Sequence, residues 1–488
     1  MRTAGPRTEP DTRPPSSDPA ALRRWALVVL ALAQLMVVLD ATIVNVALPS
    51  TQQDLGFSDS SRQWVVTAYA LTFGSLLLLG GRLSDLFGRR RMLQVGFAGF
   101  ALASALGGAA GGIGTLVAAR AAQGAFAAVL APAALSLLST TFTTPADRAR
   151  AFGVYGSVTG SGSAIGLLLG GSLTEYASWR WCLLINVVFA AVGLVGAVVK
   201  LEETSERHRA PMDWPGVATA ATGLASVVYG LGNAEADGWS APGTYGFLSA
   251  GVLLLVGFVA WERRAASPLL PMRVVRDRTR GGAYLAVALT GSGMFGLFLF
   301  LTYYLTTVLG LSPLRTGLAF LPAIVAIMVS ALLVGRRFVP RTGPRPLVTL
   351  GALVAACGMA HLARLDLHSD YATGVLPGLV LTGLGMGLVF SPTQNAATFG
   401  VRPHDAGVAS AMVNTAQQIG GATGTAFLSW VAASAASAHT EGGAPGTRTA
   451  ALAAIHGYQA AFWTSAGLFV ACALVSAVTF RGGPLKSA

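Results

Sequence analysis

Along the chain, long apolar stretches alternate with short polar ones from about residue 25 to residue 480. Within a stretch, polar and apolar residues do not alternate, as they would over the roughly ten residues of a membrane barrel strand. The stretches run for about the 20 residues that carry a helix across a hydrocarbon core. Helices and closed barrels are the backbone forms that satisfy their own hydrogen bonds there. The pattern predicts fourteen membrane helices, with edges near 25–49, 63–81, 92–110, 113–138, 151–172, 181–199, 215–233, 244–261, 283–308, 316–335, 347–363, 373–397, 408–434 and 459–479. The expected class is an all-α polytopic membrane protein.

Composition agrees. Of 488 residues, 53% are hydrophobic and 11% charged, against about 25% charged in soluble domains. The net charge of +12 raises the question of nucleic acid, but the basic residues sit in short loops between spans rather than in one patch. With the N-terminus inside, 27 of the 33 lysines and arginines fall on the inner side, as the positive-inside rule requires. Both termini are therefore expected in the cytoplasm of a bacterial inner-membrane protein. Residues 1–24 are polar and proline-rich and are expected to form a disordered tail, with 481–488 a second one. The apolar run after residue 24 is too long for a signal-peptide core. Cys182, Cys357 and Cys472 lie in apolar spans, which suggests small packing residues and neither a disulfide framework nor a metal site. No phosphate-binding GxxxxGK[ST] loop and no H-E-x-x-H occurs. The expectation is a protein with no cofactor, no metal and no enzymatic activity.

The chain also repeats. Gly80/Gly335, Gly88/Gly343 and Arg90/Arg345 are each 255 residues apart, and Gly153/Gly407, Gly166/Gly420 and Gly170/Gly424 each 254. The expected layout is a six-helix bundle at 25–200, two inserted helices at 214–262 and a second six-helix bundle at 282–480. Transporters are commonly built from two such halves around a midplane site.

Four groups of residues carry candidate chemistry. Asp40 and Arg120 are charges inside apolar spans 1 and 4. At 1.5 Å per residue they lie roughly 13 and 10 Å from the outer ends of their spans, hence near one level. Such charges usually face the bundle interior and mark a functional path. Gln123 lies one turn from Arg120, within reach of either partner. Protons are the expected cargo of this group, and a static ion pair is the competing reading. In the stretch Gly80–Arg91, Asp85 sits among Arg89, Arg90 and Arg91, with Gly81 and Gly88 allowing a tight turn. A carboxylate there can accept hydrogen bonds from helix N-terminal amides or an arginine and latch a gate, while the same residues also suit a positive-inside anchor. Gly153, Gly162, Gly166, Gly170 and Gly171 give span 5 a face for close helix packing. Gln34, Asn45, Tyr69, Gln394, Asn395, Asn414 and Gln417 are candidate polar points in a mostly apolar substrate cavity. Tyr303 and Tyr304 read better as interfacial anchors.

The pattern G-x-x-x-D-x-x-G-R-R-R at Gly81–Arg91 resembles the signature loop of the major facilitator superfamily. "LDATIVNVALP" (Leu39–Pro49), "RAAQGAFAA" (Arg120–Ala128), "DWPGVATAATGL" (Asp213–Leu224) and "LSPLRTGLAFLP" (Leu311–Pro322) resemble motifs of its fourteen-span drug:proton antiporter branch. The resemblance implies the major facilitator fold, two six-helix bundles rocking about a central cavity, plus two inserted helices. It implies efflux of amphipathic drugs or antibiotic-like metabolites in exchange for protons. The expected partners are a small amphipathic organic substrate, protons and membrane lipid, with no nucleic acid, and the protein is expected to be a monomer. One departure is Leu167, which stands where the branch's fifth-span motif has proline. A proton symporter or uniporter importing a small organic solute is the alternative function.

Overall fold

The computed structural model describes residues 19–57, 59–201, 211–236, 238–440 and 447–483. Of the predicted tails at 1–24 and 481–488, residues 1–18 and 484–488 lie outside the described residues. Fourteen long helices are present among the described residues: α1 (Pro19–Leu55), α2 (Asp59–Phe87), α3 (Arg89–Gly108), α4 (Ile113–Thr141), α5 (Pro145–Tyr176), α6 (Trp181–Lys200), α7 (Trp214–Ala236), α8 (Pro242–Glu262), α9 (Arg278–Tyr303), α10 (Leu321–Leu333), α11 (Pro344–Leu362), α12 (Leu376–Thr398), α13 (Ala406–Thr440) and α14 (Thr447–Thr479). Ten stretches are long and apolar enough to cross a membrane by composition alone; they fall on α1, α2, α4, α6, α8–α12 and α14, the one on α10 beginning at Leu314. In the other four, α3, α5, α7 and α13, glycine, alanine, serine and threonine replace larger aliphatics, a composition suited to close helix contact in lipid.

The helices outrun the predicted spans. α1 begins at Pro19, inside the stretch expected to be disordered, and passes Pro49 to end at Leu55. Length explains this: 37 residues reach about 55 Å, well beyond the core that sets the hydropathy pattern. The stretch Gly80–Arg91, expected to be a loop, is helical except at Gly88. That single residue, at φ 97°, joins α2 to α3, a backbone state open to glycine. Gly343, its partner in the repeat, turns at φ 75° immediately before α11. The two halves thus enter their third helices through the same left-handed step.

Packing follows the repeat as well. α5 lies on α1 through Gly162, Gly166 and Gly170, where an added Cβ would strike Val38, Thr42 and Ile43. α13 lies on α9 in the same way, through Gly420 against Ala288 and Gly424 against Ser292. Helices α1–α6 contact one another, as do α9–α14, and α7 pairs with α8. Two seams join the sets. One brings α2 and α4 against α13; the other brings α5 against α10 and α12. α7 lies on both α2 and α13. The even number of helices returns the chain to the face where it began, called here the terminal face, and the opposite one the far face. Cys182 and Cys472 are buried, as packing residues would be, whereas Cys357 is exposed on the outside of α11.

Candidate functional site

The carboxylate of Asp40 is the centre of a network buried inside helices α1–α6. Arg120 of α4 donates to its Oδ2 at 2.6 Å. Gln123, one turn on, donates to Oδ1 at 3.2 Å, and Asn186 of α6 donates to the same oxygen at 2.8 Å. Arg120 also donates through Nη1 to Gln123 Oε1 at 2.8 Å and through Nε to the Val65 carbonyl at 3.2 Å. Gln123 donates to Ser104 of α3 at 2.7 Å. The guanidinium lies 4.4 Å from the ring centre of Tyr69, whose hydroxyl donates to the Val37 carbonyl. Four helices besides α1 therefore contribute: α2, α3, α4 and α6.

Asp40, Gln123, Asn186 and Ser104 have no accessible surface, and Arg120 is 1% exposed. Burying two charges is offset only when geometry is good and the remaining polar atoms are satisfied; here three donors meet one carboxylate. One acceptor is left over: Asn186 Oδ1 has no hydrogen-bond partner among the described residues. Sequence reasoning placed Asp40, Arg120 and Gln123 together and missed Asn186 and Ser104. Asn186 carried a signal, because it is the one amide in the apolar stretch Trp181–Lys200.

A second cluster ties α2 to α13 at the terminal face. Asp85, at the end of α2, accepts the Gly407 amide at 2.9 Å and the Val408 amide at 3.2 Å, both at the start of α13. Arg89 donates to Asp85 from within α3 at 3.4 Å. Both side chains are 1% exposed. The helices approach through glycine: a Cβ on Gly81 would meet the Gly407 carbonyl and Ala411 Cβ at 2.6 Å. Gly88 supplies the turn. Arg90 is turned away from this cluster and donates to the Ala197 and Val198 carbonyls of α6, so it ties α3 to α6.

The other seam has its own clasp, which sequence reasoning missed. Arg148 of α5, read there as one more loop cation, is buried. It donates to Asn395 Oδ1 at 2.7 Å and Thr398 Oγ1 at 2.8 Å on α12, and to the Ser139 carbonyl at 2.7 Å. Its guanidinium also lies over Phe152 at 4.9 Å. No carboxylate pairs with it among the described residues. In the register of the repeat, Pro340 stands 255 residues after Asp85, so the carboxylate latch occurs at one of two related crossings.

The expected cavity residues separate into groups. Tyr69 belongs to the Asp40 network and Asn395 to the Arg148 clasp. Gln34 accepts the Tyr155 hydroxyl at 2.6 Å. Gln394 donates to Thr159 at 3.5 Å, one turn beyond Tyr155, and its own Oε1 has no partner among the described residues. These four residues form a polar string from α1 through α5 to α12. Asn414 donates to the Ser410 carbonyl within α13, and Gln417 is half-buried on the same helix. The Asn45 side chain lies outside the described residues. Tyr303 is exposed, as an anchor would be, but Tyr304 is buried, its hydroxyl donating to the Asp366 carbonyl. Of the span-5 glycines, Gly153 is buried with its carbonyl accepting Ser157, and Gly171 meets nothing within 4 Å. Leu167 leaves α5 unbroken and packs towards the second half.

A multi-helix fold with two related halves, a buried ion pair in one and clasps across both seams has the anatomy of a membrane transporter. Residues 30–425 match the Major Facilitator Superfamily, and the chain belongs to that family. It is 50% identical over 460 residues to a puromycin resistance protein of Streptomyces alboniger, covering 94% of this chain and 91% of that protein. It is 40% identical over 419 residues to a cephamycin export protein of Amycolatopsis lactamdurans, covering 84% and 85%. Among solved structures it resembles the human organic anion transporter MFSD10, with TM-score 0.65, 18% identity and coverage of 95% of this chain and 100% of that one. A proton:xylose symporter also matches, with TM-score 0.65, 15% identity and coverage of 96% and 98%. These two likenesses support the fold.

Proposed function

We propose that this protein is a proton-driven exporter of amphipathic, antibiotic-like compounds, a monomer in the bacterial cytoplasmic membrane with both termini inside. The buried Asp40 network is the observation that carries the coupling. An intramembrane carboxylate held by an arginine and two amides is a group whose proton can be exchanged when the surrounding helices shift. The names of the puromycin and cephamycin relatives support the direction and the class of substrate.

In this reading, helices α1–α6 and α9–α14 rock as two bodies, with α7 and α8 inserted between them. Asp85 and Arg148 hold the terminal face shut, and both must let go before substrate enters from that side. Substrate meets the polar string of Gln34, Tyr155, Thr159 and Gln394 within an otherwise apolar passage. Asp40 takes a proton from the outside. Asn186 serves both states, since its amide donates to the carboxylate and, turned over, presents the spare Oδ1 to the carboxylic acid.

The test uses everted vesicles with an imposed pH gradient. Adding a transported compound, chosen from a drug-sensitivity panel in an efflux-deficient host, collapses the gradient with the native protein. Asp40→Asn reaches the membrane at normal level but leaves the gradient intact and confers no resistance. Undiminished efflux by the variant overturns the coupling role. Substrate entering the cell down the proton gradient, rather than leaving it, overturns export.

A further inference from the structure

Where Gly162, Gly166 and Gly170 hold α5 to α1, the helices touch. Towards the terminal face they part, and a groove of about 910 Å³ opens between them. Its walls are apolar: Leu27, Val28, Leu32 and Leu35 from α1, Val154 and Val158 from α5. Every lining residue belongs to α1, α5 or the residue following α4. No residue of α9–α14 lines it, so the groove belongs to the first half.

Charge is confined to its mouth, where Arg23, Arg24, Asp147 and Arg150 meet. Asp147 is already engaged, accepting the Thr144 hydroxyl at 2.9 Å and lying 3.5 Å from Arg23. Arg24 and Arg150 are exposed, and neither has a hydrogen-bond or ion-pair partner among the described residues. Beside them Trp25 is 53% exposed, and tryptophan favours the level of lipid headgroups. From Arg24 to Leu35 the helix rises about 16 Å, close to half of a core about 30 Å thick. The groove thus has cations at the membrane surface and an apolar wall one leaflet deep.

We propose that it seats one anionic phospholipid of the adjoining leaflet, the phosphate between Arg24 and Arg150 and an acyl chain along Leu27–Leu35. A soluble anion would use the mouth and leave the apolar walls unoccupied. A zwitterionic lipid would use the walls but leave two positive charges unmatched. The seat bears on α1, which carries Asp40, and on α5, which carries Arg148, so a bound lipid braces the two helices that link the buried network to the clasp.

Full-length protein in nanodiscs of mixed phosphatidylglycerol and phosphatidylcholine, released and weighed by native mass spectrometry, tests this. The native protein retains phosphatidylglycerol in preference to phosphatidylcholine. Arg24→Gln with Arg150→Gln weakens that preference about 25-fold, from about fivefold per arginine at a lipid surface. Leu32→Trp fills the groove with the arginines intact and also loses the retained lipid. Retention unchanged in both variants overturns the site. Loss with the arginine pair but not with Leu32→Trp reduces it to general surface attraction and overturns the groove. Glycerol 3-phosphate displacing the lipid as well as phosphatidylglycerol does overturns the lipid assignment.

Discussion

Arg120 makes three polar contacts from one side chain: an ion pair to Asp40, a hydrogen bond to Gln123 and another to the Val65 carbonyl. Lysine offers one compact ammonium and cannot span those directions. Arg120→Lys is expected to lower efflux at least tenfold with normal membrane insertion, measured as initial rates in vesicles. Arg120→Ala leaves the Asp40 charge buried and unmatched, a loss of about 3–5 kcal/mol that a lowered melting temperature in detergent reports. Adding Asp40→Asn to Arg120→Ala should recover much of that stability and none of the transport, which separates packing from coupling. Asn186→Leu removes a donor at 2.8 Å and the spare acceptor together. It is expected to reduce efflux while keeping drug binding, checked by substrate-induced quenching of tryptophan fluorescence.

The helices determine which of these residues were legible beforehand. Asp40 and Arg120 stood out because charges are rare in apolar runs, and helical rise alone puts them at one depth. Other assignments required knowing which way a helix is rotated, which the repeat of apolar residues does not record when a helix is buried on most sides. Asn395 was therefore grouped with a cavity although it meets Arg148, and Tyr69 although it lies under Arg120. The charge run Gly80–Arg91 looked like a membrane exit, yet Asp85 and Arg89 stay helical because α13 supplies amides to receive the carboxylate. At this scale, the α2–α13 crossing depends on absent side chains. Gly407→Val would drive a side chain into Gly81 and Asp85. The expected result is a terminal face that cannot close, read as increased labelling of a cysteine placed at Ala396, buried on α12, by a membrane-impermeant maleimide from that side. Asp85→Asn gives up charge-assisted hydrogen bonds to two amides, each worth about 1.5–3 kcal/mol, and should shift labelling the same way by at least tenfold.

At the scale of the molecule, the two halves repeat each other in their turns and glycine contacts but differ in how they are fastened. One seam closes on a carboxylate at the head of α13; the other closes on an arginine reaching an amide oxygen and a hydroxyl of α12. Loss of either fastening should leave the other in place, so Asp85→Asn and Arg148→Gln together are expected to open the terminal face more than either alone, by close to the product of their separate effects on labelling. The inserted pair adds a lateral difference. Because α7 lies on both α2 and α13, it sheathes one of the two flanks along which the halves meet, whereas among the described residues no inserted helix lies on the flank where α5 meets α10 and α12. The protein consequently has a left and a right side within the plane of the bilayer.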